Sequence, residues 1–356
     1  MRSTQLIINV NNIENNIKRL REFLGDSTSI MPIVKANAYG TNLNYCPEIL
    51  NEFAYVGVAL LDEAIELRKN GYKNNILVLY PLSKEEYEIS KDYDFILNGS
   101  NIFNIFDSKK EIKVHTELET GMGRTGLQEK DFNDYILNLK KYKNIQVDGL
   151  FTHLSTNSDE NFSLKQINRF NNYISTFKEQ GINPNYVHLS SSGGLKYHNP
   201  DLYNMVRVGL LIYGYYPNDS LKDKLQVEPS MVLKSNISFL KNIEKGETVG
   251  YNKNFIAERE TTVATIPFGF ADGLLTLETG EPYVIVNNTP AKIIGICMDN
   301  MMLDVTDIEN VKLGQEAYIW DNNNLTIDQV GNWCNGICNY EVMSSISSRV
   351  PRVLVK

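Results

Sequence analysis

Apolar and polar residues alternate along the first part of the chain in a pattern typical of strands joined by helices. Between two early strand-like runs, Ile13, Ile17, Leu20 and Leu24 repeat at intervals of three and four, which predicts an amphipathic helix. The short apolar runs that predict buried strands cover residues 6–10, 31–34, 55–59, 76–80, 112–117, 147–152 and 186–189. Because buried apolar strands that alternate with helices form parallel sheets, the pattern predicts an α/β domain.

The number of these units favours a closed barrel. Seven or eight strand–helix units in about 210 residues fit a (β/α)8 TIM-like barrel, whose active site lies at the carboxyl ends of the strands. The alternative is a doubly wound open sheet. That alternative is weakened because no glycine-rich dinucleotide fingerprint follows the first predicted strand.

The pattern changes after Pro217. Short β-rich runs, separated by turn signals such as Glu278-Thr279-Gly280, predict a mostly antiparallel β domain. We place the boundary near residue 216, with a barrel domain over residues 1–215 and a β domain over residues 216–356. Since no low-complexity linker separates them, the two domains are expected to pack tightly.

Composition and charge argue against several classes of partner. The chain has 356 residues and a formal net charge of −8, which does not favour binding to nucleic acid or to anionic membranes. No apolar run approaches the roughly 18 residues of a membrane span, and the first run is too short for a signal peptide. Cys334 and Cys338 have no second Cys/His pair that would complete a metal site. We therefore expect a cytoplasmic protein without a metal, a nucleic-acid partner or a membrane partner.

Lys35 ends one of the buried apolar runs, where burial disfavours the charged ammonium form. The resulting free amine is the form that makes a Schiff base with an aldehyde cofactor. The small segment from Ala36 to Gly40 would let a flat ring approach the backbone, with the Tyr39 phenol available to an anionic group. A lysine that extends its ammonium to solvent from a strand end is the alternative.

Further candidate residues follow later predicted strands. His153 and His188 each follow a strand, and the run from Leu189 to Gly194 supplies hydroxyls and glycine amides that suit a phosphate. Arg207 lies in an otherwise apolar strand, and since a guanidinium keeps its charge, its burial demands an acceptor. The alternatives are hydrogen-bonded core histidines, an ordinary serine loop and a structural ion pair.

Eight segments, in order along the chain, resemble motifs of the alanine racemase family. They are V-K-A-N-A-Y-G, T-G-M-G-R-T-G, H-L-S-S-S-G-G, V-R-V-G-L-L-I-Y-G, V-G-Y-N-K-N-F, F-G-F-A-D-G, C-M-D-N-M-M-L-D-V and S-R-V-P-R. The resemblance implies a barrel that binds pyridoxal 5'-phosphate, a C-terminal β domain, and a homodimer with two shared active sites. Its substrate would be a small amino acid.

The resemblance also implies a role for each matching residue. Lys35 would hold the cofactor and act as one catalytic base, and Tyr251 of the partner subunit would act as the other. Two bases on opposite faces are what racemisation requires, because a proton leaves one face of Cα and another arrives on the opposite face. Arg207 would face the pyridine nitrogen, and His153 would couple it to Tyr251. The implied cofactor-binding residues are Lys35, Tyr39, His153, Ser192, Arg207, Gly209 and Leu210.

Arg124 and the Met298 backbone of the partner subunit match positions that bind the substrate carboxylate. The chain departs from the family pattern nearby. Glu117 stands where the family often has a lysine, commonly carbamylated, so an anion is present here without modification. Ser348 and Phe270 replace two tyrosines that are common beside the substrate and at the site entrance. Serine is therefore harder to exclude as a substrate.

We interpret the chain as an L-alanine/D-alanine racemase that supplies D-alanine for peptidoglycan. An arginine at the pyridine nitrogen is a poor acid, which disfavours transamination. Serine is the alternative substrate. A decarboxylase of the same architecture would need an acid such as glutamate in place of Arg207. A non-catalytic cofactor-binding protein would have no use for a second base such as Tyr251.

Overall fold

The structure is a computed structural model and describes residues 3–107 and 109–356. Its strands are β1 Gln5–Asn9, β2 Ser29–Pro32, β3 Tyr55–Val58, β4 Asn75–Val78, β5 Ile96–Asn98, β6 Ile112–Glu117, β7 Ile145–Phe151, β8 Tyr186–His188, β9 Met205–Val208, β10 Met231–Asn236, β11 Phe239–Ile243, β12 Thr248–Val249, β13 Phe255–Ile256, β14 Thr261–Ile266, β15 Tyr283–Val286, β16 Thr289–Ile296, β17 Met301–Asp304, β18 Glu316–Trp320 and β19 Arg352–Val355. Its helices are α1 Val10–Leu24, α2 Lys35–Tyr39, α3 Cys46–Leu50, α4 Leu61–Lys69, α5 Lys84–Ser90, α6 Ile102–Ile105, α7 Phe132–Lys141, α8 Glu160–Glu179, α9 Ile327–Trp333 and α10 Asn339–Ser345.

Strands β2 to β9 form a closed parallel barrel, as the strand–helix pattern predicts. Consecutive strands from β3 to β8 pair in parallel, and β2 pairs in parallel with β9. Single parallel bridges, Ile33 to Gly57 and Ser191 to Arg207, join β2 to β3 and β8 to β9. The predicted barrel fold is therefore confirmed, and all eight strands direct their carboxyl ends to one face of it.

The sequence pattern did not predict one of the barrel strands. Strand β5 has three residues, Ile96–Asn98, all of them buried. A three-residue apolar run is too short to be distinguished from the apolar residues of neighbouring helices by periodicity. Its neighbours β4 and β6 fix its place, because each pairs with it in parallel.

The second sheet contains nine strands in the order β11-β14-β17-β16-β15-β18-β10-β1-β19, and most neighbours are antiparallel. The sequence pattern grouped β1 with the barrel, whereas the structure pairs it antiparallel with β10 and parallel with β19. Leu6 and Ile8 of β1 are buried while their neighbours are half-buried. This alternation fits a sheet with one covered face better than a barrel strand buried on both faces. The boundary near residue 216 stays a prediction.

The predicted apolar stripe of α1 packs into the core, where Ile13, Ile17 and Leu20 are almost fully buried. Helix α1 therefore uses the face that its spacing of three and four predicts. Within the described residues, we find no helix with the length and apolar character needed to cross a bilayer. The same residues contain no cluster of three or more side chains suited to a metal ion.

Candidate active site

Lys35 follows the carboxyl end of β2, on the barrel face that carries the other candidate side chains. Burial lowers the pKa of its ammonium group, the Arg124 and Arg207 guanidinium groups lower it further, and the Glu63 carboxylate opposes them. Both arginines lie close enough to act on this amine electrostatically. The surroundings therefore increase the fraction of free amine, which is the nucleophilic and basic form of lysine.

The residues of α2 that follow Lys35 form a left-handed turn and not a regular right-handed helix. Ala36, Asn37, Ala38 and Tyr39 all have φ angles between 53° and 57°. An L-residue in this conformation costs roughly 1–2 kcal/mol, and runs of such residues are unusual. Strain of this kind persists only where surrounding contacts hold the backbone in place.

Glu63, near the start of α4, supplies such contacts. One carboxylate oxygen accepts a hydrogen bond from the Ala36 N–H at 2.6 Å. The other accepts from the N–H groups of Ala59 and Leu60 at 2.8 and 3.1 Å. A single carboxylate thus ties the loop after β3 to the strained turn after β2. The sequence analysis missed this residue, although a glutamate at the third position of a helix is a known capping signal.

Three polar groups meet at the ends of β2, β8 and β9, and we call them the Tyr39–Ser192–Gly209 cluster. The Gly209 N–H donates to the Ser192 hydroxyl at 3.1 Å. A Cβ at Gly209 would overlap the Tyr39 hydroxyl, so only glycine allows this approach. Burial raises the pKa of Tyr39 to about 12, which keeps its phenol protonated as a donor. Two hydroxyls and an amide in this space fit the phosphate of pyridoxal phosphate. Leu210 follows directly and starts the turn Leu210–Tyr213.

Arg207 is buried in the barrel and held by neutral acceptors. Its Nη1 donates to the carbonyl oxygen and the Nδ1 of His188 at 2.8 and 3.0 Å. Its Nη2 donates to the Thr152 carbonyl at 2.7 Å and lies 3.3 Å from His153 Nδ1. Burial lowers the pKa of Arg207 to about 10, although the Glu117 carboxylate opposes this shift. The guanidinium therefore stays charged at neutral pH and acts only as a donor.

His153 is neutral at this site. Burial lowers its pKa to about 3, and the cations Arg207, Arg124 and Lys35 contribute in the same direction. Four of the candidate groups are thus near enough to influence one another. A neutral imidazole beside Arg207 accepts a hydrogen bond through one nitrogen and donates through the other.

Arg124 is paired with the buried carboxylate of Glu117. Arg124 Nη2 lies 2.8 Å from Glu117 Oε1. The Thr125 hydroxyl donates to the other oxygen, and the Asn98 amide lies 3.4 Å from that oxygen. The Arg124 side chain remains partly exposed over the Tyr80 ring. Glu117 therefore fixes one edge of the guanidinium and leaves the rest available to an anion.

The remaining candidate residues, Tyr251, Phe270, Met298 and Ser348, lie on the β domain and are exposed. Tyr251 lies in the turn between β12 and β13 and is 65 % exposed. Phe270 and Met298 are adjacent, because the N–H of Ala271 bonds the Met298 carbonyl, and they are 51 % and 53 % exposed. Among the described residues, no hydrogen bond or ring contact joins the Tyr251 side chain to the barrel. Ser348 is also exposed.

Sequence reasoning missed two polar residues inside the barrel, His115 on β6 and Asp148 on β7. Both are almost completely buried. The available signal was a polar residue in the middle of an apolar strand-like run, which is uncommon without a buried partner. Those partners come from other strands and are described below.

Both halves of the chain match models of known domains. The model for the alanine racemase N-terminal domain matches residues 8–217, and the model for the alanine racemase C-terminal domain matches residues 230–354. Alanine racemase 2 of Caldanaerobacter subterraneus is 32% identical, and the match covers 100% of this chain and 95% of that protein. Alanine racemase of Clostridium novyi is 35% identical, over 98% of this chain and 94% of that protein.

Solved structures give the same result. Alanine racemase of Clostridium difficile 630 has a TM-score of 0.92 and 31% identity, and the match covers 99% of this chain and 96% of that one. Alanine racemase of Bacillus anthracis with bound L-Ala-P has a TM-score of 0.91 and 28% identity, over 100% of this chain and 96% of that one. The likeness therefore extends over both sheets.

Proposed function

This chain belongs to the alanine racemase family, and on that premise we propose that Lys35 and Tyr251 are the two bases of its reaction. Members of this family depend on pyridoxal 5'-phosphate, and the chain is an amino-acid racemase of the alanine racemase type. When bound, the cofactor supplies an electron sink that acidifies the Cα–H of an attached amino acid. The observation that carries the proposal is the Lys35 amine, with its lowered pKa, on the same barrel face as the Tyr39–Ser192–Gly209 cluster.

Each residue has a defined task in this mechanism. Lys35 holds the cofactor and moves the α-proton on one face of the substrate. Tyr251 of the second subunit moves a proton on the opposite face, so the configuration at Cα inverts. With the cofactor bound, Arg207 would face the pyridine nitrogen as a donor that keeps its own proton, because its pKa remains near 10. Arg124, oriented by Glu117, binds the substrate carboxylate.

The working unit in this proposal is a homodimer with shared active sites. Tyr251, Phe270 and Met298 are large apolar or aromatic side chains exposed on the β domain. Surfaces of this kind commonly mark an interface with another chain. A second copy that covers this surface would bring Tyr251 and the Met298 backbone to the barrel face of its partner. Two-fold symmetry then gives two equivalent sites.

Alanine is the proposed substrate, and serine is the alternative. The exposed Ser348 carries a small side chain with one hydroxyl, so it leaves more room than a tyrosine would. Phe270 has no phenol hydroxyl, so it offers fewer polar contacts than a tyrosine would. We propose that the protein works in the cytoplasm and that its physiological role is to supply D-alanine for peptidoglycan. Its support is that the relatives named above are bacterial proteins named alanine racemase.

The function is tested by following deuterium exchange at Cα of L-alanine and L-serine in deuterium oxide, together with chiral analysis of the product. We expect exchange with formation of the D-enantiomer, and a higher kcat/KM for alanine. A higher kcat/KM for serine would reverse the substrate assignment.

The cellular role is tested by complementation. The gene should restore growth of a D-alanine-requiring bacterium without added D-alanine, and failure of the active protein to do so would contradict that role.

Glu63→Gln is expected to weaken cofactor retention without unfolding the barrel. The amide is neutral and has one acceptor oxygen, so all three N–H groups of Ala36, Ala59 and Leu60 lose a charged partner. At least one of them loses its acceptor altogether, at roughly 1–3 kcal/mol. Dialysis followed by visible absorbance should show faster loss of the lysine-bound cofactor than in wild type. Glu66→Gln, an exposed change on the same helix, is the control. Equal retention in all three proteins would show that Glu63 does not hold the turn.

A further inference from the structure

A line of buried polar side chains continues from Arg207 into the barrel interior. Arg207 Nη1 lies 3.0 Å from His188 Nδ1, and His188 Nε2 lies 2.8 Å from His115 Nδ1. His115 Nε2 lies 3.6 Å from Asp148 Oδ2, which is longer than an ordinary hydrogen bond and makes this last contact electrostatic. His115 and His188 are fully buried, and Asp148 is 1 % exposed. The line therefore joins a buried cation to a buried carboxyl group through two imidazole rings.

The donors of Arg207 at one end and the carboxylate of Asp148 at the other favour the same arrangement of protons in the line. A guanidinium has donors only, so His188 Nδ1 must accept and its proton must lie on Nε2. That proton is donated to His115 Nδ1, so the proton of His115 also lies on Nε2 and points to Asp148. Burial lowers the pKa of both histidines, which keeps the two rings neutral. Among the described residues, His115 Nε2 has no hydrogen-bond partner, and the Asp148 carboxylate is the acceptor it faces.

Asp148 is held as an anion at the other end of the line. Burial opposes ionisation, but contacts with His115, Asn185 and Tyr55 lower its pKa to about 2. The Tyr55 hydroxyl donates to Oδ2 at 2.9 Å, and the Asn185 amide donates to Oδ1 at 2.7 Å. An ionised carboxylate in the interior requires compensation by a cation. Lys35 and Arg124 lie at the barrel face, whereas the chain of contacts from Asp148 leads to Arg207.

Arg207 needs a counter-charge for the same reason. Its direct acceptors are carbonyl oxygens and imidazole nitrogens. The Glu117 carboxylate raises the pKa of Arg207 without a direct contact, but its ion pair is with Arg124. We propose that Asp148 is a second counter-charge of Arg207, beside Glu117, and acts through the line of contacts formed by His115 and His188. Asp148 is thereby a positioning residue, which fixes the orientation of the guanidinium and its strength as a donor. Its effect on catalysis rests on the proposed function, in which Arg207 faces the pyridine nitrogen.

The proposal differs from a purely structural role in what it requires of the histidines. A carboxylate that only tethers Tyr55 on β3 and Asn185 before β8 would stabilise the barrel and leave the tautomer of His188 unaffected. A counter-charge must keep both imidazole protons on Nε2. If an asparagine amide N–H faced His115 Nε2 instead, the His115 proton would move to Nδ1. His188 would then carry its proton on Nδ1, directly opposed to the Arg207 N–H.

The test is nitrogen-15 NMR of the holoenzyme labelled at histidine, because four histidines give a simple spectrum. In wild type we expect His115 and His188 to be neutral, protonated at Nε2, and unchanged between about pH 6 and pH 9. A proton on Nδ1 of His188, or a charged ring at neutral pH, would overturn the proposal. This measurement needs neither a substrate nor a variant, so its result can be interpreted even if the protein does not racemise alanine.

Asp148→Asn in the same holoenzyme provides the second measurement. We expect a second set of His115 and His188 signals with the proton on Nδ1, a shifted absorbance of the bound cofactor, and kcat lowered about 10- to 100-fold with little change in KM. Asp148→Glu, which keeps the charge, should recover part of kcat. Asp134→Asn on the outer helix α7 is the control. A folded Asp148→Asn protein with the tautomers and absorbance of Asp134→Asn would overturn the proposal.

Discussion

Tyr251→Phe is expected to stop interconversion of the enantiomers while deuterium exchange continues at Cα of one of them. The variant keeps the aromatic ring and loses the hydroxyl, so one face of the substrate has no base. Lys35 still removes and returns a proton on its own face, which exchanges the hydrogen without inversion. Loss of one general base should reduce racemisation about 10²- to 10⁴-fold. Proton NMR in deuterium oxide measures exchange, and chiral chromatography of the same samples measures inversion.

The exposed position of Tyr251 makes this variant a clean probe, because its hydroxyl bonds nothing among the described residues of the chain. Tyr93→Phe is the matched control, since Tyr93 precedes β5 at the opposite, amino-terminal end of the barrel. It should racemise at the wild-type rate. Near-wild-type racemisation by Tyr251→Phe would remove this tyrosine from the mechanism. If Tyr251→Phe lost deuterium exchange for both enantiomers, that result would also contradict a mechanism with two independent bases.

Two inactive variants, Lys35→Ala and Tyr251→Phe, are expected to regain activity when their subunits are mixed. In the proposed dimer each site takes Lys35 from one subunit and Tyr251 from the other. A mixed dimer therefore has one site with both bases and one site with neither. Random reassortment of equal amounts should give about one quarter of the wild-type activity, because half of the dimers are mixed and each has one working site. The measurement is the racemisation rate after mild dissociation and reassociation of the two proteins.

The outcome distinguishes the two possible origins of the tyrosine. If Tyr251 served the site of its own chain, every mixed dimer would lack one base at each site and would stay inactive. Each variant reassociated with itself is the control and should remain inactive. A mixture of equal amounts of the doubly changed chain and the wild-type chain is a second control. It should keep about one half of the wild-type activity if bases are not shared, and should fall to about one quarter if they are.

The barrel and the lysine could be predicted because they rest on local patterns. Apolar runs show the parallel strands, and Lys35 directly follows one of them. The left-handed turn after it could not be predicted, since two of its four residues are alanines, which have no intrinsic preference for that conformation. Glu63 holds the turn from another strand–helix unit, and only the folded chain shows that contact.

The line from Arg207 to Asp148 shows a similar limit. His115 and Asp148 lie on different strands, so no spacing in the sequence connects them to His188. The sequence does show that Arg207 requires an acceptor, yet it gives an ion pair as the ordinary alternative. The structure instead provides carbonyl oxygens and imidazoles. The pairing of β1 with β19 was missed because pairing partners far apart in sequence leave no local signal.

Strand β19 also reaches the turn that carries Lys35. Arg352 donates from Nε to the Gly40 carbonyl at 2.8 Å, and β19 lies parallel to β1. The lysine strand is synthesised early, whereas this arginine is synthesised at the end of the β domain. Domains commonly begin to fold while the chain is still emerging from the ribosome. A nascent barrel would therefore have a lysine turn without its final support, and secure cofactor capture would come late, when residues 352–355 have left the ribosomal tunnel.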